Sequence, residues 1–253
     1  MESAAEKGNA AESAVSIDGA GDNDSDNVPS SPHVHAPSTP AGRLLVGLAL
    51  SAALQFTGIS AVMSFAPRLA KSAGMSPLLG NTLLMTWNAV TVCAATPLVK
   101  RFTCRQLFLV SATVSSLACV ATAVPTLLSV GATGSAASAT HAFIVIGVMA
   151  VIGGYELGMG PTYYSLAQSV FPAGAERSRG TAFTVGTQYV FTLVIGVAYA
   201  PVESLLSGNG SHGSSGSQRR GQGWIFMAFG GIGLFTTLVL YRCLHPRTLA
   251  STA

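Results

Sequence analysis

From position 43 onward the chain repeats one pattern, in which long apolar runs alternate with short polar breaks. Six runs fall at about 44–66, 78–99, 107–130, 142–165, 181–205 and 224–244. About 20 helical residues, rising ~1.5 Å each, cross ~30 Å of hydrocarbon, so each run predicts one membrane span. Helix is required because lipid offers unpaired backbone groups no partner. The breaks are chemically distinct: KSAGMSP, KRFTCR, GATGSAASAT, FPAGAERSRG and SGNGSHGSSGSQRRGQG. The pattern therefore predicts an all-α membrane protein with six transmembrane helices.

Two runs are interrupted, the first at FTGIS and the fourth at GGYELGMGPTYY, residues 153–164. They open the first and second triplets of spans. In transporters built from inverted three-helix repeats, interrupted helices at matching positions mark the substrate site. Glu156 is the one carboxylate in the middle of an apolar run. A charge there is expensive, which makes function its default reading. At helical spacing Glu156, Gly160 and Tyr164 share a face. Pro161 lacks an N–H and loosens the turn before it. Gly158, Gly160 and Pro161 are thus expected to bend or gate this helix, with helix-packing contacts as the alternative reading of the glycines.

Polar side chains are unevenly distributed. The first span holds Ser51, Gln55, Thr57, Ser60 and Ser64; the second Asn81, Trp87 and Asn88; the fourth Glu156, Tyr163 and Tyr164; the fifth Thr187, Gln188 and Tyr189. The third and sixth have hydroxyls or glycines but no amide or acid. Spans one, two, four and five are therefore expected to line a polar interior.

Charge adds an orientation. Only 9% of the 253 residues are charged, against about a quarter in soluble domains. Residues 1–42 contain seven of the ten acids and read as a disordered acidic tail, with no secretory signal. With six spans, one side collects Lys7, Arg43, Lys100, Arg101, Arg105, Arg177, Arg179, Arg242 and Arg247, and the other Arg68, Lys71, Arg219 and Arg220. Nine bases against four predict that both termini, including the tail 246–253, are cytoplasmic. The sequon Asn209-Gly210-Ser211 then falls outside, and the plasma membrane is the expected location. Spread between apolar runs, the bases do not form a nucleic-acid surface. Cys93, Cys104, Cys119 and Cys243 read as buried small hydrophobes, and no metal or cofactor spacing occurs. An intramembrane enzyme is disfavoured: one buried carboxylate makes no aspartyl dyad, and His141 has no evident serine partner.

Residues 43–250 resemble the carboxy-terminal six-helix half of the sugar porters, a family of the major facilitator superfamily. LQFTGISAVMSFAP resembles the seventh-helix QQxxGxN motif, and WNAVTVCAATPLVKRFTCRQL the eighth helix with its basic loop. YELGMGPTYY resembles the tenth-helix motif E-x-G-x-G-P-x-x-W, FPAGAERSRG the loop after it, and CLHPRT the stretch after the last helix. The resemblance implies that Gln55, Asn88 and Glu156 face or adjoin sugar hydroxyls, with Tyr164 in the tryptophan's place and Gln188-Tyr189 in that of an Asn-Trp pair; Gln188 is counted with the solute contacts. Amides both donate and accept, which suits a polyol, and an aromatic face covers the apolar face of a sugar ring. It also implies loop roles for Lys100, Arg101, Arg105, Arg177 and Arg179. Leu54, Ser60 and Ser169 depart from the pattern, replacing a glutamine, an asparagine and a glutamate.

The expected fold is therefore half of a major-facilitator fold, two three-helix inverted repeats. The expected function is alternating-access transport of a sugar or similar small polar solute by a half-length or truncated transporter that self-associates or pairs with a partner half. The alternative is a non-transporting membrane protein that pairs with and regulates a full-length transporter.

Overall fold

A computed structural model describes residues 39–60, 62–63, 76–128, 135–207 and 215–244. Helix α1 spans Pro40–Phe56, α2 Pro77–Arg101, α3 Cys104–Leu128 and α4 Ser135–Gly154. A π-helical turn at Tyr155–Met159 joins α4 to α5, Gly160–Ser169, and the three form one continuous fourth span. Helix α6 covers Ala175–Ser207 and α7 Ser215–Leu244. No strand occurs among the described residues.

Helix starts follow local chemistry. Thr39 and Ser76 accept hydrogen bonds from Gly42 N and Leu79 N, and prolines follow directly at Pro40 and Pro77. Such caps pair the orphan donors of the first turn. Three helices begin well before the apolar runs, α4 at Ser135, α6 at Ala175 and α7 at Ser215. A helix pairs its own backbone in water as well as in lipid, so polarity ends the apolar run without ending the helix.

Five of the spans are long and apolar enough to cross a membrane among the described residues. The first is shorter: α1 has 17 residues and stops at the FTGIS interruption. There Gly58 takes a φ of +87°, a left-handed conformation that few side chains tolerate. The chain is helical again at Val62–Met63, and the end of the predicted first span, 64–66, lies outside the described residues.

The packing exposes the repeat. Helix α1 packs against α6 and α7; the fourth span packs against α2 and α3; α3 packs extensively on α7. Exchanging spans one with four, two with five and three with six maps these neighbours onto one another, as two inverted three-helix repeats require, although α6 also packs closely on α7 where the equivalent α2 barely touches α3. Directions agree. Arg43 meets Glu176 and Ser51 meets Thr184 at the same sequence offset, 133, so α1 and α6 run parallel. On the equivalent pair, Trp87 Nε1 donates to the Met149 carbonyl at 2.7 Å, Asn88 meets Glu156, and further along both helices Thr96 and Lys100 share a cleft with Gly160 and Pro161, so α2 runs parallel to the fourth span.

Small residues let the helices approach. Cβ atoms added at Gly147, Gly154 and Gly158 would run into Thr122, Ser115 and Ser111 of α3, an antiparallel stripe. Close backbone approach of this kind drives helix association where lipid removes the hydrophobic contrast. One core cluster gathers Leu50, Leu54, Phe108, Met159, Tyr163 and Leu240; another gathers Ile59, Val62, Cys119, Val148, Ile152 and Phe226. Of the cysteines only Cys119 is buried, its thiol donating to the Thr57 carbonyl at 3.2 Å. Cys93 and Cys243 are exposed, which corrects the expectation of burial: both lie on outer helix faces, where an apolar run meets lipid as well as core.

Candidate functional site

The broken fourth span organises the site. Pro161 has no N–H to continue the α-helical ladder. The preceding turn widens: Gly160 N–H reaches five residues back to the Tyr155 carbonyl. Such π turns inside α-helices often mark functional positions. The extra residue in this turn breaks the simple 3.6-residue register. Gly160 stays beside Glu156, since a Cβ there would lie 3.1 Å from Glu156 Oε2.

Glu156 is half-buried on the side facing α2, and its Oε1 accepts a hydrogen bond from Asn88 Nδ2 at 2.7 Å. Beside this pair a cleft of about 620 Å³ opens between α2 and the fourth span, lined by Thr96, Lys100, Tyr155, Glu156, Gly160 and Pro161 among others. Gly160 leaves the wall open at its centre. Lys100 gives the cleft a cation at its far end.

The other predicted contacts stand on the repeat-related pair, α1 and α6. Gln55 is buried at the end of α1, where Ser60 Oγ donates to its Oε1. Gln188 stands one turn beyond Thr184 on α6, at the same 133-residue offset from Gln55 that separates Ser51 from Thr184. Its Oε1 is buried with no hydrogen-bond partner. Tyr164 is half exposed and meets Tyr163 edge-on, ring centroids 5.2 Å apart, and it is not among the cleft's lining residues. The structure thus brings Asn88, Glu156, Gly160, Pro161 and Lys100 together. It places Gln55 and Gln188 on a separate helix pair.

The glycines divide. Gly158 is buried against α3, where a Cβ would lie 2.6 Å from the Leu107 carbonyl and run into Ser111 Oγ. Gly160 and exposed Pro161 face the cleft. Of the loop bases, Arg101, Arg177 and Arg179 are exposed, Arg177 Nε donating to the Phe171 carbonyl at 3.4 Å, while Arg105 is partly buried. An ion pair, Arg43 Nη1–Glu176 Oε2 at 3.1 Å, lies at the same end of the bundle.

Two polar nodes escaped the sequence reading. Ser51 Oγ donates to the Thr184 carbonyl at 2.7 Å and lies 3.1 Å from Tyr163 Oη, tying α1, α5 and α6 together. Polar residues in apolar runs were visible, but not that these two meet. The second is Glu203, buried near the end of α6, where Gln222 Nε2 donates to its Oε1 at 3.2 Å. An acid in the last turns of the fifth run was the available signal.

The family model described as "Sugar (and other) transporter" matches residues 7–252. Among curated proteins the chain is similar to glucose transporter 1E of Trypanosoma brucei brucei, 35% identical over 80% of this chain and 37% of the relative. Glucose transporter HT1 of Trypanosoma vivax is 36% identical over 81% of this chain and 36% of its own length. Membrane transporter D2 of Leishmania donovani is 36% identical over the same shares. The chain therefore spans little more than a third of the length of the relatives it matches. A matching family model across nearly the whole chain, two inverted three-helix repeats and a broken fourth span carrying the tenth-helix motif lead to one assignment: this chain belongs to the sugar transporter family, the sugar porters of the major facilitator superfamily.

Proposed function

We propose that this chain moves a sugar or similar small polar solute by alternating access. The observation that carries the reading is the Asn88–Glu156 pair at the cleft between α2 and the broken span, beside a glycine and a proline. Paired amide and carboxylate oxygens present both donors and acceptors to a polyol. The π turn and Gly160 supply a place where the fourth span bends as the cleft opens and closes. Gln55 and Gln188 on the repeat-related helices are proposed as further solute contacts, with Tyr164 as a ring cover. Two of the similar proteins are named glucose transporters, which makes glucose the first solute to test.

The six-helix unit works against a second such unit, from a longer chain or another copy. Helices α2 and α6 support this reading, since they are the least buried of the spans. Their outer positions include Leu78, Leu79, Val190, Leu193 and Val197. The basic end is assigned to the cytoplasm and the plasma membrane is the proposed location.

Proteoliposomes holding the purified chain should accumulate labelled glucose faster than empty vesicles, and Gly160→Leu should abolish the difference while still inserting. Absence of uptake by the chain alone, with uptake changed when a full-length relative is co-reconstituted, would favour a regulatory partner instead.

A further inference from the structure

On helices that do not line the cleft, α3 and α7 form a groove of about 730 Å³. Its walls are Leu109, Val110 and Val114 of α3 and Leu234 and Leu238 of α7, with Thr113 and Thr237 between them. Both hydroxyls are already satisfied by their own helices, on the Leu109 and Gly233 carbonyls, so the walls are effectively apolar. The groove follows two turns of antiparallel helix, ~12 Å at helical rise. Val110, Val114 and Leu238 are exposed along it.

At its basic end stand Arg105 and Gln106 in the first turn of α3 and Tyr241 in the last turn of α7. Arg105 Nε is buried and has no hydrogen-bond partner among the described residues. A buried guanidinium donor without an acceptor is costly and rare. No carboxylate of the described residues is free to meet it. Glu156 is held by Asn88, Glu176 by Arg43 and Glu203 by Gln222.

We propose that this groove binds an anionic phospholipid, with one acyl chain along Leu109, Val114 and Leu238 and the phosphate on Arg105. The occupant must be apolar for ~12 Å and anionic at one end, at the depth where a spanning helix leaves the hydrocarbon. A phospholipid has that order of groups. Arg binds phosphate through a planar, bidentate fork, and basic pockets between membrane helices take anionic headgroups. The acidic segment before residue 27 suits the guanidinium but has almost no large apolar side chain for the walls. A second copy of the described helices brings no unpaired carboxylate. The site does not depend on the solute cleft, which lies on the other helices.

The test uses the full chain, delipidated in mild detergent and titrated with phosphatidylglycerol or phosphatidylcholine of identical acyl chains, with occupancy read by native mass spectrometry. Wild type should favour phosphatidylglycerol by about tenfold, the scale of one charged hydrogen bond. Arg105→Gln should bring the ratio near one, Arg105→Lys should keep part of it, and Arg177→Gln should leave it alone. Leu238→Trp, which fills the groove, should weaken both lipids. Equal affinity for the two lipids overturns the proposal, as does an unchanged ratio in Arg105→Gln. Inorganic phosphate that competes as well as the lipid would mean a free-anion site. Leu238→Trp that disrupts a dimer without altering lipid binding would assign the groove to a second copy. Should Arg105→Gln fail to fold, Arg105→Lys and Leu238→Trp still decide the question.

Discussion

Asn88 Nδ2 lies 2.7 Å from Glu156 Oε1, joining the second span to the broken turn of the fourth. The bond gives the half-buried carboxylate a partner within the membrane domain, where an unpartnered one would be costly. The charge sits within the π turn itself, where any change in the turn moves it relative to α2.

Removing the charge while keeping the shape separates these roles. Glu156→Gln should lower turnover of glucose uptake by about tenfold or more, with a smaller change in apparent affinity, because a gating group acts on the conformational step. Initial rates across a range of glucose concentrations give both quantities. Wild-type turnover in this variant would remove the charge from the transport cycle.

The glycines of the motif should respond in opposite ways. Gly158→Ala pushes a methyl toward the Leu107 carbonyl and Ser111, which are rigidly placed on α3. Overpacking of this kind costs ~1–3 kcal/mol, visible as a lower melting temperature in detergent. Gly160→Ala presses closely only on the flexible end of the Glu156 side chain, with Tyr155 at ordinary contact distance, and should melt near wild type, while Gly160→Leu fills the cleft and stops uptake. Equal melting losses at Gly158 and Gly160 would contradict the division.

Ser51, Tyr163 and the Thr184 carbonyl act as one unit. Ser51→Ala and Tyr163→Phe should each destabilise by about 1 kcal/mol, and the double variant by clearly less than their sum. A double-mutant cycle by thermal unfolding measures the coupling. Strict additivity would mean the hydroxyls act separately.

Topology is tested from outside intact cells. A cysteine at Ser204, near the outer end of α6, should react with an impermeant maleimide above the parent background, while one at Ala173, between the fourth and fifth spans, should not. The reverse result would invert the assigned orientation.

Unpartnered outer faces on α2 and α6 lead to an expectation about assembly. The purified chain should run in detergent as a dimer or larger, and Leu193→Arg should shift it toward monomer. A wild-type chain that is strictly monomeric and still transports would refute the two-unit reading.

Much of this was legible along the chain. Apolar run length specifies spans because hydrocarbon thickness and helical rise leave little freedom. The FTGIS and GGYELGMGP interruptions were visible as residues that disturb an apolar helix, and both are irregular in the structure, at Gly58 and at Tyr155–Met159. The motif order also carried the family. What the chain could not show is which polar groups meet. Helical spacing put Glu156, Gly160 and Tyr164 on one face, but the π turn adds a residue there, and that widening depends on the tertiary fit of Gly158 against α3 as well as on Pro161. Asn88 and Glu156 are 68 residues apart, and Ser51 and Thr184 are 133 apart. Those distances are set by how two inverted triplets interlock, and no local pattern encodes them. The groove of α3 and α7 has the same origin: each helix alone presents an ordinary apolar stripe, and only their crossing places Arg105 at the end of it.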